Sequence, residues 1–566
     1  MGNPTMNKRP DPFTLEIIRN ALDTTADNMG LSLRQSAYSS IVRDATDFST
    51  AVCDAEGRTM AQGLTTTLHL GSFYDAMRCL IERQGDDVHA GDIFIFNDPY
   101  LAAGQHLPDI YIVKPIFWEG SLEAWATSVA HHADVGGIVP GSNALGAHEI
   151  YQEGLRLPIL KFHSRGRPNS SVLDIISANV RVPDLVIGDL HAQMAACATG
   201  EAGVVELFER YGWDELRAYF EAIHDYAERL ARVELEKIGD CECRYEDHID
   251  GLGEDPEPLL LKVKVTISGS EVTVDWTGTA NQVNGGINSS LPYTKAAAYV
   301  ALRSIMRADL PNSHGFTRPI RVVAPEGSLV NPVHPGACGS RGITGYRMID
   351  CLFGALAQVV PERVPADGNG GATLVTFGGY RDGQAFVFCE ALMANWGGTA
   401  THDGQDGVPH LGGNISNVPV EMIEARYPLR IDRYGLVADS GGAGKYRGGL
   451  ALARDYRVLV DGVILTLRSD RRHFPPQGLF GGQPGAPSRN IVNSDGEARE
   501  MPVMATEPIV LNEGDVLRHV MAGAGGYGDP SERDPERVIK DLREGRISRH
   551  RAVECYGLAA PEPGSE

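Results

Sequence analysis

The chain has 566 residues with 42% hydrophobic content, more than one core supports, so two to four domains are expected. Its 74 acidic residues against 51 basic ones give a net charge of −23, which repels nucleic-acid phosphates and anionic lipid and excludes both as partners. Nine scattered cysteines build no disulfide framework, no run of about 20 apolar residues spans a bilayer, and the start lacks a signal peptide's apolar centre; a cytoplasmic location is expected.

Apolar residues at Leu15, Ile18, Leu22, Ala26, Met29 and Leu33 recur at threes and fours and predict a helix from Phe13 to about Ser40. DFSTAVCDAEGRTMAQ then reads as a strand, a turn at Asp54–Gly57 and a second strand. Residues 91–130 hold three strand candidates: GDIFIFNDPY, IYIVKPIF and LEAWATSVA. Asp189 has the look of an N-cap before a helix, and 201–238 predicts a helix. The polar, breaker-rich run 240–256 marks a boundary. LLLKVKVTISGSEVTVDWTG alternates as a hairpin turning at Ser268–Ser270, and helices are predicted at 292–307 and 343–360. From about residue 361 Gly-rich loops separate short strands, and 532–560 is a charged helical tail. The fold expected is α+β and multidomain, with a mixed N-terminal half and a β-rich C-terminal half; the divisions expected are 1–245, 246–365 and 366–566, the last carrying the helical tail.

The segment 104–137 carries the most chemistry. If IYIVKPIF and LEAWATSVA pair as an antiparallel hairpin across Glu119–Gly120, paired residues sum to about 240, and Asp109 faces His131 across the open end at about 5 Å, within reach of one ion. His106 sits one short turn upstream and can fold over the same end. His131 and His132 point to opposite faces of a strand, so only one of them serves that ion, and the register favours His131. Asp44 and Asp47, beside another predicted strand, are the candidates for a further ligand. Two imidazoles with two carboxylates suit Zn²⁺, Mn²⁺ or Fe²⁺ better than Mg²⁺ or Ca²⁺. This makes the first division, 1–245, an α/β metal-binding domain.

Other candidates are weaker. His402, Asp403, Asp406 and His410 admit a second metal site, though a substrate loop or an interface suits so Gly-rich a stretch better. Arg341 and Arg347 in GSRGITGYR can grip a carboxylate or phosphate, or brace a loop. SGGAGK (440–445) lacks the form of a phosphate loop and reads as a tight turn. No G-x-S-x-G elbow occurs, and no cysteine has a clear activating partner.

RDATDFSTAVCDAEGRTMAQ, HLPDI, AHHADVGGIVPGS, GDLHAQMAA, NGGINSSLPYTKAA, NVPVEMIEARYPL, ADSGGAGKYRGG and GAGGYGDP together resemble the hydantoinase B/oxoprolinase family, in order over nearly the whole chain. That resemblance implies the B-type subunit of an ATP-dependent hydantoinase, 5-oxoprolinase or lactamase. It implies a hydantoinase A-like partner that uses ATP, in an α₂β₂ complex, with a small cyclic amide as substrate. It also implies that Asp47, His106, Asp109 and His131 hold one divalent transition metal, zinc favoured over manganese or iron. Many members carry Glu-Arg-x-Asp-Phe-Ser where this chain has Asp44-Ala45-Thr46-Asp47-Phe48-Ser49, which leaves open whether Asp44 or Asp47 reaches the ion. The mechanism implied is attack by metal-activated water on a substrate phosphorylated by the partner, with His132 or Asp44 as general base. The alternatives are a subunit of an ATP-dependent ketone carboxylase of the acetone or acetophenone type, and a non-catalytic scaffold subunit.

Overall fold

A computed structural model describes residues 10–558 except 64, 65, 70, 308, 371 and 372. Helix accounts for 33% and strand for 25%, the strands falling into several sheets, so the α+β multidomain class holds.

The chain opens with α1 (Pro12–Ser36), capped by Asp11, whose carboxylate accepts from the Thr14 N–H at 2.8 Å. A single turn, α2 (Ser40–Arg43), follows. A seven-stranded antiparallel sheet comes next, from β1 (Phe48–Asp54), β2 (Thr59–Gln62), β3 (Ile93–Phe96), β4 (Asp109–Trp118), β5 (Ser121–His131), β6 (Leu160–Ser164) and the two-residue β7 (Arg167–Pro168). Its order is β2-β1-β5-β4-β3-β6-β7. Gly57, at φ +79°, makes the β1–β2 turn where the sequence placed it. Between β2 and β3 runs α3 (Ser72–Gln84). Both faces of the sheet are buried. Ile110, Ile112 and Ala126 lie on the face covered by the long helix Pro183–Tyr211, while Tyr111, Val113 and Trp125 share a cluster with Phe73, Met77 and Leu80 of α3. This is why the strands read as nearly continuous apolar runs rather than alternating ones.

The helical stretch predicted for 201–238 is longer and broken. After α4 (Ser170–Asn179), α5 (Pro183–Tyr211) and α6 (Trp213–Ile238) meet at Gly212, whose φ of +77° ends one helix and starts the other. Asp189 is not an N-cap. It lies inside α5, and its carboxylate accepts from the backbone N–H of Tyr38 and Ser39 at 2.7 and 3.1 Å, tying α5 to the end of α1.

The polar run after 240 is partly a strand, because Cys243, Asp247 and Ile249 alternate inward along β8 (Cys241–Ile249). It pairs with β9 (Leu259–Ser268), which turns at Gly269 into β10 (Glu271–Asp275); β11 (Ile320–Val323) completes that four-stranded sheet. The helices α7 (Leu291–Ile305) and α8 (Gly342–Leu356) match the expected positions, and α8 is buried along its whole length.

The remaining strands are β12 (Leu374–Arg381), β13 (Gln384–Ala391), β14 (Leu429–Val437), β15 (Ala451–Val458), β16 (Val463–Arg468), β17 (Arg489–Val492), β18 (Arg499–Glu500), β19 (Ile509–Leu511) and β20 (Val516–Val520). They form two sheets, β13-β12-β16-β19 and β14-β15-β20-β17-β18, with the short helix α9 (Val420–Arg426) leading into β14. Glycine loops join them by direct backbone contact. A Cβ on Gly523 would lie 1.8 Å from Ser440 O, and one on Gly448 would lie 2.0 Å from Ala524 O. The tail is two helices, α10 (Pro535–Arg543) and α11 (Arg549–Tyr556), with Gly545 at φ +68° between them. Among the described residues no helix is long and apolar enough to cross a membrane.

Candidate metal centre

The hairpin of β4 and β5 has the expected register. Asp109 pairs with His131, and a bulge at Ile116/Phe117 shifts the pairing only near the turn. His106 returns over the same end through a turn closed by the Asp109 N–H on His106 C=O at 3.1 Å. Three ligand atoms therefore converge. His106 Nε2 lies 3.1 Å from Asp109 Oδ1 and 3.1 Å from His131 Nδ1, and His131 Nδ1 lies 3.3 Å from Asp109 Oδ1. Tetrahedral ligands at zinc–nitrogen and zinc–oxygen distances are separated by about 3.3 Å, and octahedral ones by about 3 Å. The triangle fits one first-row ion. All three side chains are buried, and among the described residues this is the one group of three His, Cys, Asp or Glu ligand atoms so closely gathered.

The surrounding polar atoms orient this triangle. His106 Nδ1 lies 2.7 Å from Gly339 O, and donation there leaves the Nε2 lone pair facing inward. Burial, then the Arg341 charge, pushes His106 down to about 3, so the ring is neutral, the form that binds metal. Burial works against a charge on His131 as well, but the neighbouring Asp109 carboxylate, aided by Asp47, prevails and lifts it to about 10. Asp109 Oδ1 has no hydrogen-bond partner among the described residues, whereas Oδ2 accepts a short hydrogen bond from Arg341 Nη2. Such a buried carboxylate oxygen beside imidazole nitrogens is an arrangement that a cation would satisfy.

Asp47 lines the cavity that this triangle faces, and its carboxylate accepts from Thr66 Oγ1 at 3.1 Å. Thr46 just before it sits at φ +60°, a costly conformation for a β-branched residue, which turns the chain into β1. The backbone also binds Asp47 to the hairpin, since the His131 N–H donates to Asp47 C=O at 3.0 Å. Asp44 does not line the cavity. It caps α2 and pairs with Arg43 at 2.8 Å. His132 points to the other face of β5, where its Nε2 meets Gln193 Oε1 of α5 at 3.0 Å. Strand alternation thus separates His132 from His131, and neither His132 nor Asp44 is placed for proton transfer at the triangle.

Several lining residues escaped the sequence reading. His69 Nε2 lies 3.6 Å from Asp109 Oδ2, and its Nδ1 meets Ser49 Oγ at 3.0 Å. Tyr293, Tyr346 and Arg468 complete the wall, with the Arg341 guanidinium 4.3 Å from the centre of the Tyr293 ring. They come from segments too remote in sequence for spacing to connect. Arg341 and Arg347 both form internal ion pairs, with Asp109 and with Asp247 at 3.0 Å, which is the bracing role. The 402–414 residues disperse: Asp403 pairs with Arg533, Asp406 with Arg546, and His410 with Asp350. In SGGAGK the Gly442 and Lys445 N–H groups donate to Ala524 and Gly528 carbonyls, leaving neither for an anion.

The model of the hydantoinase B/oxoprolinase family matches residues 11–530. The B component of a putative D-/L-hydantoinase from Pseudomonas sp. (strain NS671) is 34% identical over 97% of this chain and 95% of its own. The crystal structure of an ATP-dependent caprolactamase from Pseudomonas jessenii superimposes with a TM-score of 0.91 at 30% identity, covering 99% of this chain and 98% of that one. A nucleotide-free acetone carboxylase structure also reaches 0.91, at 19% identity over 98% of this chain and 80% of its own, a likeness of fold alone.

Proposed function

Because the chain belongs to the hydantoinase B/oxoprolinase family, we propose that it is the metal-dependent hydrolytic subunit of an ATP-dependent enzyme that opens a hydantoin, 5-oxoproline or lactam ring. The observation that carries this reading is the buried triangle of His106, Asp109 and His131, held at ligand spacing at the open end of one hairpin. The similarity to a hydantoinase component and to an ATP-dependent caprolactamase supports the ring-opening class and a hydantoinase A-like partner that spends the ATP.

In this reading His106, Asp109 and His131 hold the ion and Asp47 is the fourth ligand, with zinc favoured and manganese or iron the alternatives. When bound, the ion supplies Lewis acidity that brings a water's pKa towards neutrality. Arg341 fixes one oxygen of Asp109 so that the other faces the ion. Gly339 fixes the His106 ring. His69, 3.6 Å from Asp109 Oδ2 and backed by Ser49, would accept a proton in the step. The two guanidiniums of Arg341 and Arg468 on the wall suit an anionic, phosphorylated substrate delivered by the partner.

The test reconstitutes the complex with its A-type partner and ATP and follows label from H₂¹⁸O and ¹³C-bicarbonate. Oxygen label in a ring-opened acid is expected. Carbon label in a keto acid would replace hydrolysis with ketone carboxylation, and full activity without metal would make the chain a scaffold.

A further inference from the structure

A second recess lies between β2, α3, α7 and the turn that follows α7, away from the His–Asp–His triangle. Gln62, Tyr74, Tyr299, Arg303, Ser313 and His314 are among its lining residues, and it encloses about 60 Å³. Three side-chain atoms there are buried without a hydrogen-bond partner among the described residues: Gln62 Nε2, Arg303 Nε and Ser313 Oγ. Gln62 is 7% exposed and Ser313 4%, so bulk water does not satisfy them. Arg303 Nη2 donates to Leu310 O at 3.1 Å, and no carboxylate of the described residues lies within ion-pair distance of the guanidinium. Asp309 acts on that charge only from beyond ion-pair distance, and its own side chain is 88% exposed. The one acid on the wall among the described residues, Asp75, is already neutralised by Lys295 at 2.7 Å. Tyr74 and His314 stack at 3.9 Å between centroids and close one side, and burial keeps His314 low, at about 4, so it adds no second charge.

We propose that this recess is a binding site for a small aliphatic carboxylate, gripped by Arg303, Gln62 and Ser313. Each of the three unpartnered atoms belongs to a group that can donate: an Nε–H, an amide N–H and a hydroxyl. A carboxylate presents two oxygens with about four lone-pair sites, enough for all three. One guanidinium without a buried counter-ion matches one negative charge, whereas a phosphate dianion would bring a second charge into a mostly apolar recess with nothing to meet it. The volume suits four to six heavy atoms, since one ordered water needs roughly 10–15 Å³ on the same measure. The site does not depend on the reaction proposed above. It does share a segment with the metal cavity: Gln62 and Gly71 face the recess, while Thr66 and His69 between them face the triangle.

The experiment is isothermal titration of the full chain with acetate, propionate and phosphate at constant ionic strength and pH 7.5. Saturable binding of acetate or propionate is expected, weakened about 10-fold or more by Arg303→Gln and unchanged by His106→Ala. Gln62→Leu, which removes a donor without removing a charge, weakens it several-fold and serves where Arg303→Gln does not fold. Absence of saturation by about 100 mM, a Kd corresponding to almost no binding energy, overturns the proposal. Equal affinity for phosphate overturns it as well. So does binding lost in His106→Ala and kept in Arg303→Gln, which would place the carboxylate on the metal.

Discussion

Asp109 is held from two sides, by Arg341 on one oxygen and by His106 and His131 around the other. Purified protein is expected to carry one transition metal per chain by elemental analysis. His106→Ala should lose the metal and the activity together, and an active preparation free of metal would sink the assignment. Arg341→Met keeps every ligand but frees Asp109 to rotate, so metal affinity should fall about 10–100-fold while the fold survives. Glu153 makes a separate prediction. Its buried carboxylate accepts from the Cys338 and Gly339 N–H groups, and burial outweighs those bonds and lifts it to about 8 from 4.5. Between these values the folded chain keeps a proton that the unfolded chain has released. The Glu153 contribution to stability is therefore greatest below pH 4.5 and declines as pH rises to about 8, by up to about 1.4 kcal/mol per unit. Glu153→Gln should remove that slope, and parallel stability–pH curves for both proteins would contradict it. At this scale the juxtaposition of His106, Asp109 and His131 was legible, because strand pairing sets Asp109 opposite His131 and a short turn returns His106 to them. It did not reveal His69, Arg341 or Arg468 as neighbours of the site, because their approach depends on packing between elements far apart in the chain.

The β4–β5 hairpin was legible because two apolar runs flank one turn; the bulge at Ile116/Phe117, which the sequence did not show, shifts the pairing by one and sets Asp109 opposite His131. Helix α5 was only half legible. Its N-terminal part carries Asp189 and several glycines, which disfavour an isolated helix, and it forms because the sheet and α1 cover it. A Cβ at Gly200 would lie 2.9 Å from that of Ala126 on β5, so the glycine permits the contact. The glycine loops of the C-terminal half read as turns, but their stacking against one another left no mark in the sequence. That stacking makes a test at this scale. Gly523→Ala places a methyl against the Ser440 carbonyl, where neither backbone can yield, and should cost about 1–3 kcal/mol or more. Gly435→Ala, in β14 with nothing within 4 Å of its Cβ position, should be nearly neutral. Equal urea midpoints for the two variants would show that the loops are not packed this way.

Across the whole molecule, the N-terminal sheet and the turn before β4 carry Asp109, His131 and His106, while α8 and the turn before it close the cavity. In SGGAGK the Gly442 and Lys445 N–H groups are spent on the Ala524 and Gly528 carbonyls. The isolated chain is expected to show no ATP binding at micromolar concentration by calorimetry, and to acquire ATP-dependent turnover only with an A-type partner. Tight ATP binding by this chain alone would overturn that division of labour. The placement of Gly339 and Arg341 also sets an order of events during synthesis. His106, Asp109 and His131 leave the ribosome more than two hundred residues before the carbonyl that orients His106 and the guanidinium that steadies Asp109. A nascent chain would thus present the three side chains before the groups that orient them. If an ion binds as proposed, its ligands would be fully oriented only once residues 339–341 have folded against them.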